Sequence, residues 1–260
     1  MPEIADVAVY KQYVDATSLH KRIQHVSVEA TRLLKGVSKT SLGRCMHGRR
    51  LEKTVRHGKY LFLQLGAGRW LVLHFGMTGY LKYFGDSKDK PQYAQVLIDF
   101  DNGDHLAYVS RRKLGAVTLT DKVSRFVSDH NLGPDALLID KDRFKQLIGH
   151  RRGSVKSWRM NQAIVAGIGN VYSDEIVFQA GIDPRRKVND LSEQDINRLY
   201  EKLQWVIKQA IKAHAEADQM PDSFLTVHRH RGGQCPKCRG PLKRATIAGR
   251  TAYFCPHCQH

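Results

Sequence analysis

Cys235-Pro236-Lys237-Cys238 and Cys255-Pro256-His257-Cys258 frame 16 residues at the C-terminal end of the chain. Two C-x-x-C pairs at this separation supply four thiolates, each pair on its own tight turn. That set closes a tetrahedral zinc site and leaves no coordination position open. The intervening residues predict a hairpin, with strands over Leu242–Ile247 and Thr251–Phe254 and Ala248-Gly249-Arg250 at its tip. From His228 to His260 there are seven Lys or Arg and no Asp or Glu. A metal-held hairpin with a cationic tip points to phosphate contact.

The rest of the chain agrees with a polyanionic partner. Its 260 residues carry a net charge of +17, and 42% of them are apolar, enough for one large or two modest cores. There is no run of 18 apolar residues, no signal-peptide pattern and no basic amphipathic helix with a broad apolar face, so a membrane surface is the poorer partner. Cys45 is the one cysteine outside the finger. No disulfide framework follows, and a reducing cytosol is expected.

Residues 1 to about 130 read mostly as short strands. The β-rich runs are Tyr60–Leu65, Trp70–His74, Gly79–Tyr83, Gln95–Phe100, His105–Val109 and Ala116–Leu119. Turns such as Gly66-Ala67-Gly68 and Asp101-Asn102-Gly103-Asp104 separate them, a spacing that predicts an antiparallel sandwich. An amphipathic helix is expected over Ala5–Ala16. After a linker at Asn131–Asp135 the pattern turns helical, over Lys141–Gly149, Ser154–Ala163, Val171–Ala180 and Ser192–Ala213, with Asp190-Leu191-Ser192 as capping candidates. The fold class is α+β, with boundaries expected at 1–131, 132–227 and 228–260.

Four further motifs carry chemistry. Met1-Pro2-Glu3 offers a secondary amine once Met1 is removed. An α-amino group has a reference pKa near 7.7–8.0, far below lysine, so its free base is available to attack a sugar carbon. Glu3 is placed to move the proton. Ala163–Asn170, with Gly167 and Gly169, reads as a turn whose helix-terminal amides bind phosphate, and the basic run His150–Arg159 precedes it. Arg56-His57-Gly58-Lys59-Tyr60 is a basic turn entering a strand. Gly76-Met77-Thr78-Gly79 and Ser110–Gly115 are loops whose Met77, Arg112 and Leu114 suit a wedge into stacked bases.

Taken in order, these residues resemble the bacterial-type formamidopyrimidine-DNA glycosylase family, shared with endonuclease VIII. The resemblance runs through Met-Pro-Glu, Gly-Arg-Arg at 48–50, Gly-Lys-Tyr at 58–60, Leu-His-Phe-Gly-Met-Thr-Gly at 73–79, Gly-Pro-Asp-Ala at 133–136, Ala-Gly-Ile-Gly-Asn-Val-Tyr-Ser-Asp-Glu at 166–175 and the finger. It implies a monomeric bilobal repair enzyme of the bacterial cytosol. One lobe is a β-sandwich with flanking helices, the other a helix-two-turn-helix domain with its zinc finger, and damaged double-stranded DNA lies between them.

By the same resemblance, Pro2 attacks the deoxyribose C1′ and Glu3 handles protons. Lys59, Asn170 and Arg250 grip phosphates, with His74 as a further contact, and Lys59 counts with the catalytic group. Met77, Arg112 and Leu114 fill the void left by the everted base. The implied activity is a glycosylase with apurinic/apyrimidinic lyase action by β,δ-elimination.

Three departures from the family pattern stand out. Ala5 and Asp6 replace Pro and Glu, which makes Asp6 a shorter candidate catalytic carboxylate. Leu114 replaces Phe. Ala215–Val227 is short where a longer loop caps 8-oxoguanine. They leave two alternatives open: an endonuclease VIII-like preference for oxidised pyrimidines, or a catalytically weakened lesion-binding protein.

Overall fold

A computed structural model of the chain describes residues 1–66, 68–149 and 153–260. Ala67 of the expected glycine turn, and His150, Arg151 and Arg152 of the basic run, lie outside the described residues. The chain divides into two compact units, one of residues 1–2 and 7–130, the other of 3–6 and 131–260. The expected finger boundary at residue 228 falls inside the second.

The first unit is an antiparallel β-sandwich, as the spacing of its β-rich runs predicts. One sheet runs in the order β1 (Ile23–Val28), β6 (Ala94–Phe100), β7 (His105–Ser110), β5 (Gly79–Phe84). The other runs β2 (Leu51–His57), β3 (Tyr60–Leu65), β4 (Arg69–His74), β8 (Ala116–Thr120). Inward residues of both sheets, among them Ile23, Val26, Leu61, Leu71, Leu106 and Val117, form one core. Phe75 stacks on Tyr108 within it, ring centroids 5.6 Å apart. Asn102-Gly103 makes the expected turn between β6 and β7, with Gly103 at φ +86°.

Four elements of this unit escape the sequence pattern. β1 and β2 each carry a register shift, between Ile23 and His25 and between Leu51 and Lys53, which breaks the two-residue alternation that reveals a strand. The short helices α2 (Lys39–Met46) and α3 (Val123–Asp129) show only one or two buried side chains each, too few for a helical stripe. The first helix, α1 (Ile4–Thr17), is not amphipathic as expected. Ile4 and Ala5 pack in the core of the second unit and Val7 and Val14 in the sandwich core, so its apolar residues do not form one face.

The second unit gathers α4 (Lys141–Ile148), α5 (Val155–Arg159), α6 (Asn170–Gln179) and α7 (Glu193–Lys212) around Phe144, Ile176, Leu199, Leu203 and Val206. Ser192 caps α7 through a complete capping box with Asp195. The helix expected over Ser154–Ala163 is only five residues long. Asn161 ends that stretch: its side-chain oxygen accepts the Ala163 N–H (3.0 Å), an Asx-turn that competes with the helical ladder. The finger hairpin pairs β9 (Lys243–Ile247) with β10 (Arg250–Phe254). Ala248 and Gly249, at φ +47° and +72°, form its two-residue turn, the left-handed geometry that matches strand twist.

Candidate active site and nucleic-acid interface

The start of α6 is occupied by the chain's own Glu3. Its carboxylate accepts the backbone N–H of Gly169 (2.7 Å), Val171 (2.9 Å) and Tyr172 (3.2 Å), and the side chain is 1% exposed. An acceptor-only carboxylate matches helix-terminal amides in both donor count and dipole sign. The fit demands glycine. A Cβ on Gly169 would lie 2.3 Å from the Glu3 carboxyl carbon, and one on Gly167, at φ +115°, would lie 2.7 Å from Ile4. The sequence reading of this turn as a phosphate site is therefore corrected: its amides are spent on Glu3. Pro2, the neighbour of Glu3 in the chain, is buried, and Met1 is exposed.

Asp6 lies one turn into α1 and accepts the Glu3 N–H at 2.9 Å, capping its own helix. Burial raises its pKa to about 6. The Glu3 N–H bond opposes the rise, and the Glu3 charge adds to it. Asn170 opens α6, and its side-chain Oδ1 is buried with no hydrogen-bond partner among the described residues. Glu3, Asp6 and Asn170 all belong to the second unit.

Lys59 and His74 belong to the first. The β3–β4 register pairs Tyr60 with His74, which places Lys59 beside that pair. Tyr60 packs between His74 and Phe126, with centroids 4.9 Å and 5.2 Å away. Burial, joined by the nearby Lys59 charge, lowers the His74 pKa to about 4. The ring is thus neutral at physiological pH. Gly76 N–H points to its Nδ1 at 3.4 Å, which leaves Nε2 to carry the proton. His74 is a neutral donor here and adds no positive charge.

The two loops expected to carry a wedge meet in the same unit. An Arg112 Nη1 lies 3.1 Å from the Met77 Sδ, and the Arg112 N–H donates to Thr78 Oγ1 (3.4 Å). A Cβ on Gly76 (φ +60°) would come within 2.5 Å of the Leu114 backbone, so glycine allows the loops to touch. Met77 and Leu114 are 42% and 51% exposed, unusual for large apolar side chains at adjoining loop tips.

One cluster escaped the sequence reading. Asp174 of α6 is fully buried and ion-pairs with the equally buried Lys156. Its second oxygen accepts Arg229 Nη2 (2.8 Å), Arg229 Nε (3.1 Å) and the Tyr253 N–H (3.1 Å). Lys156 also donates to the Thr251 carbonyl (3.3 Å). β10, and with it Arg250, is thereby tied to α6. The available signal was an acidic pair, Asp174-Glu175, inside the apolar run Val171–Phe178. Lys156, inside the basic run that the sequence reading linked to nucleic acid, is core.

The four finger thiols converge. All Sγ atoms lie within 4.8 Å of one another, with Cys235–Cys258 at 3.8 Å and Cys238–Cys255 at 3.5 Å. A zinc tetrahedron with bonds of about 2.3 Å has sulfur–sulfur edges of about 3.8 Å, so the donor set fits one structural Zn²⁺. No helix among the described residues is long and apolar enough to cross a membrane.

Family models match the chain in three successive stretches. They are the formamidopyrimidine-DNA glycosylase N-terminal domain over residues 1–117, the H2TH domain of the same enzymes over 132–221, and the zinc finger found in FPG and IleRS over 232–260. A formamidopyrimidine-DNA glycosylase of Pelobacter propionicus is 32% identical over 269 residues, spanning both chains in full. That of Desulfitobacterium hafniense is 28% identical over 273 residues, again spanning both. Among solved structures, the LlFpg protein in complex with THF-DNA and an inhibitor has the same fold. It is 24% identical, with a TM-score of 0.90 over the whole of both chains.

Asp6 and its pH dependence give a first test. Its folded pKa of about 6 exceeds its ordinary 3.8, so between these values the folded chain holds a proton the unfolded chain has released. That contribution to stability is complete below 3.8 and is lost as pH rises through about 6. Asp6→Asn keeps the acceptor for the Glu3 N–H and removes the titration. Denaturant unfolding from pH 4 to 7 is expected to show wild type losing up to about 3 kcal/mol relative to the variant. Parallel stability curves would contradict the assignment.

Asp174→Asn leaves Lys156 and Arg229 without their carboxylate and is expected to cost about 3–5 kcal/mol in thermal or denaturant unfolding. A cost below about 1 kcal/mol would show that the cluster is not coupled to folding. Stripping the metal with a chelator is expected to abolish duplex binding in an anisotropy titration while the sandwich keeps its circular dichroism signal. Retained affinity in the zinc-free protein would count against a finger role in DNA contact.

Proposed function

The chain belongs to the formamidopyrimidine-DNA glycosylase family, DNA glycosylases of base excision repair, and from that premise we propose that it excises oxidised bases through a Schiff base on Pro2. The observation that carries this reading is the seat of Glu3. Its carboxylate is buried and fixed by three amides, on the residue next to the candidate nucleophile. A carboxylate so held has its position set before substrate arrives, which is the condition for efficient proton transfer.

Removal of Met1 frees the Pro2 secondary amine. Its lone pair attacks C1′ of the damaged nucleotide and the base departs with the C1′–N bond electrons, protonated as it leaves. The amine loses its proton, the sugar ring opens, and a C1′ iminium forms. β-Elimination then expels the 3′-phosphate and δ-elimination the 5′-phosphate; water releases the sugar remnant and restores the amine. Glu3 is the group we assign to the sugar protons. Lys59, Asn170, Arg250 and the neutral His74 are assigned to phosphates, and Met77, Arg112 and Leu114 to the space left by the everted base. Asp6, engaged as a helix cap, is assigned a positioning role toward Glu3.

The short Ala215–Val227 segment bears on substrate choice. Phe224 and Leu225 are fully buried, and Glu175 accepts the N–H groups of Leu225 (3.1 Å) and Thr226 (2.9 Å). Gln179 donates to the Ser223 carbonyl at 2.9 Å. A segment pinned in this way favours recognition without a long capping loop, hence endonuclease VIII-like or relaxed specificity, to be read from a panel of oxidised purine and pyrimidine duplexes.

Borohydride trapping on a duplex with an abasic site tests the chemistry. Wild type is expected to give a covalent adduct that peptide mass analysis places on Pro2. Pro2→Gly retains an amine yet loses the secondary one, and a drop in trapping and excision of at least about tenfold is expected, equivalent to about 1.4 kcal/mol in barrier. Tight lesion binding with no adduct would instead support a lesion-binding protein on this scaffold.

A further inference from the structure

A second basic site lies in the sandwich unit, at the opposite end of its strands from Lys59 and His74. Gly36, Val37, Ser38, Ser41, Arg44, Cys45, Arg49, Arg69 and Leu119 line a cavity of about 540 Å³, within the range of small-ligand sites. Three of these residues are arginines, and none is a carboxylate. Arg69 opens β4 and pairs with Leu65, whereas His74 closes that strand and pairs with Tyr60. Five steps of about 3.3 Å put the two ends about 17 Å apart, so this cavity is not part of the Lys59–His74 site.

Its walls are fixed. The Lys35 N–H donates to the Val117 carbonyl at 2.9 Å and holds the loop before α2 against β8. The Ser38 hydroxyl caps α2 by accepting the Ser41 N–H at 3.0 Å. Arg49 is half-buried and anchored by donation from Nη1 to the Gly66 carbonyl at 2.6 Å. Arg69 meets Asp121 at 3.0 Å, but both are largely exposed, and such a pair neutralises little. Arg44 is exposed and appears in none of the ion pairs described. Three arginines and two serine hydroxyls thus line one concavity, with Asp121 on Arg69 as the acid at its edge, and this leaves donors there for an anion. Phosphate, which accepts bidentate donation from the planar fork, is the anion they match best.

We propose that this cavity is a phosphate-binding site, distinct from the catalytic residues and independent of the assignment of Pro2. The phosphate comes either from DNA backbone beyond the lesion or from a free phosphorylated anion. Inorganic pyrophosphate titrated into the zinc-loaded full chain is expected to shift the amide resonances of Ser41, Arg44 and Leu119. The double variant Arg44→Gln, Arg69→Gln removes two exposed side chains and is expected to weaken that binding by at least about tenfold, as the loss of two charge-assisted contacts requires. Its resonances away from the cavity report that the fold is kept. No shift in wild type, or an equal shift in the variant, would overturn the proposal.

Affinity for abasic duplexes against salt then identifies the source. A salt slope reduced by about 1–2 in the variant on a long duplex, but unchanged on a short one, assigns the phosphate to DNA backbone. The same reduction on both lengths likewise assigns it to DNA backbone, within the span of the short duplex, whereas equal slopes for the two proteins on the long duplex assign it to a free anion.

Discussion

The carboxylate of Glu3 at the start of α6 is the constraint from which the second unit's functional geometry follows. Helix-terminal amides must find an acceptor, and here a residue 166 positions earlier in the chain supplies it. Two glycines exist to admit that acceptor and the Ile4 beside it. The Ile4 N–H donates to the Gly167 carbonyl at 3.0 Å, and Asp6 caps α1 at Glu3, so each partner stabilises the other. The arrangement also fixes where the chain bearing Pro2 emerges. A residue next to a chain terminus is ordinarily mobile, and this anchoring of Glu3 and Ile4 limits that freedom at Pro2.

The same ten-residue helix carries two further buried acids, Asp174 and Glu175. Each satisfies a different segment. Asp174 joins Lys156, Arg229 and the amide of Tyr253, and so orients the hairpin whose strand begins with Arg250. Glu175 holds the chain at Leu225 and Thr226, and burial raises its pKa. Buried charges contribute little net stability compared with well-packed apolar groups, but they accept only one geometry. Here they convert a short helix into a platform that fixes both the finger hairpin and the Leu225–Thr226 segment.

How much of this was legible depends on whether the signal was local. Strands β3 to β8 are short β-rich runs separated by turns, and Asn102-Gly103 marks one of them, so the sandwich could be read. β1 and β2 could not, because a bulge in each shifts the pattern out of phase. The helix after Ser154 was overextended, because the Asx-turn at Asn161 outcompetes the helical ladder there. The glycine turn before Asn170 was rightly read as a place where backbone amides meet an anion, but the anion was misassigned. Nothing local tells an external phosphate from a glutamate at residue 3. Asp174 was missed for a related reason: its counter-ions come from distant segments.

The sequence by itself determined the zinc ligands, the sandwich, the basic character and the order of motifs that mark the family, because each is set by spacing within a few residues or by composition. Only the tertiary structure decided that Glu3 terminates α6, that His74 is neutral, that Asp6 is a cap and that Met77, Arg112 and Leu114 share one surface. Those properties depend on burial and on partners far apart in the chain, and neither is written in any local stretch of residues.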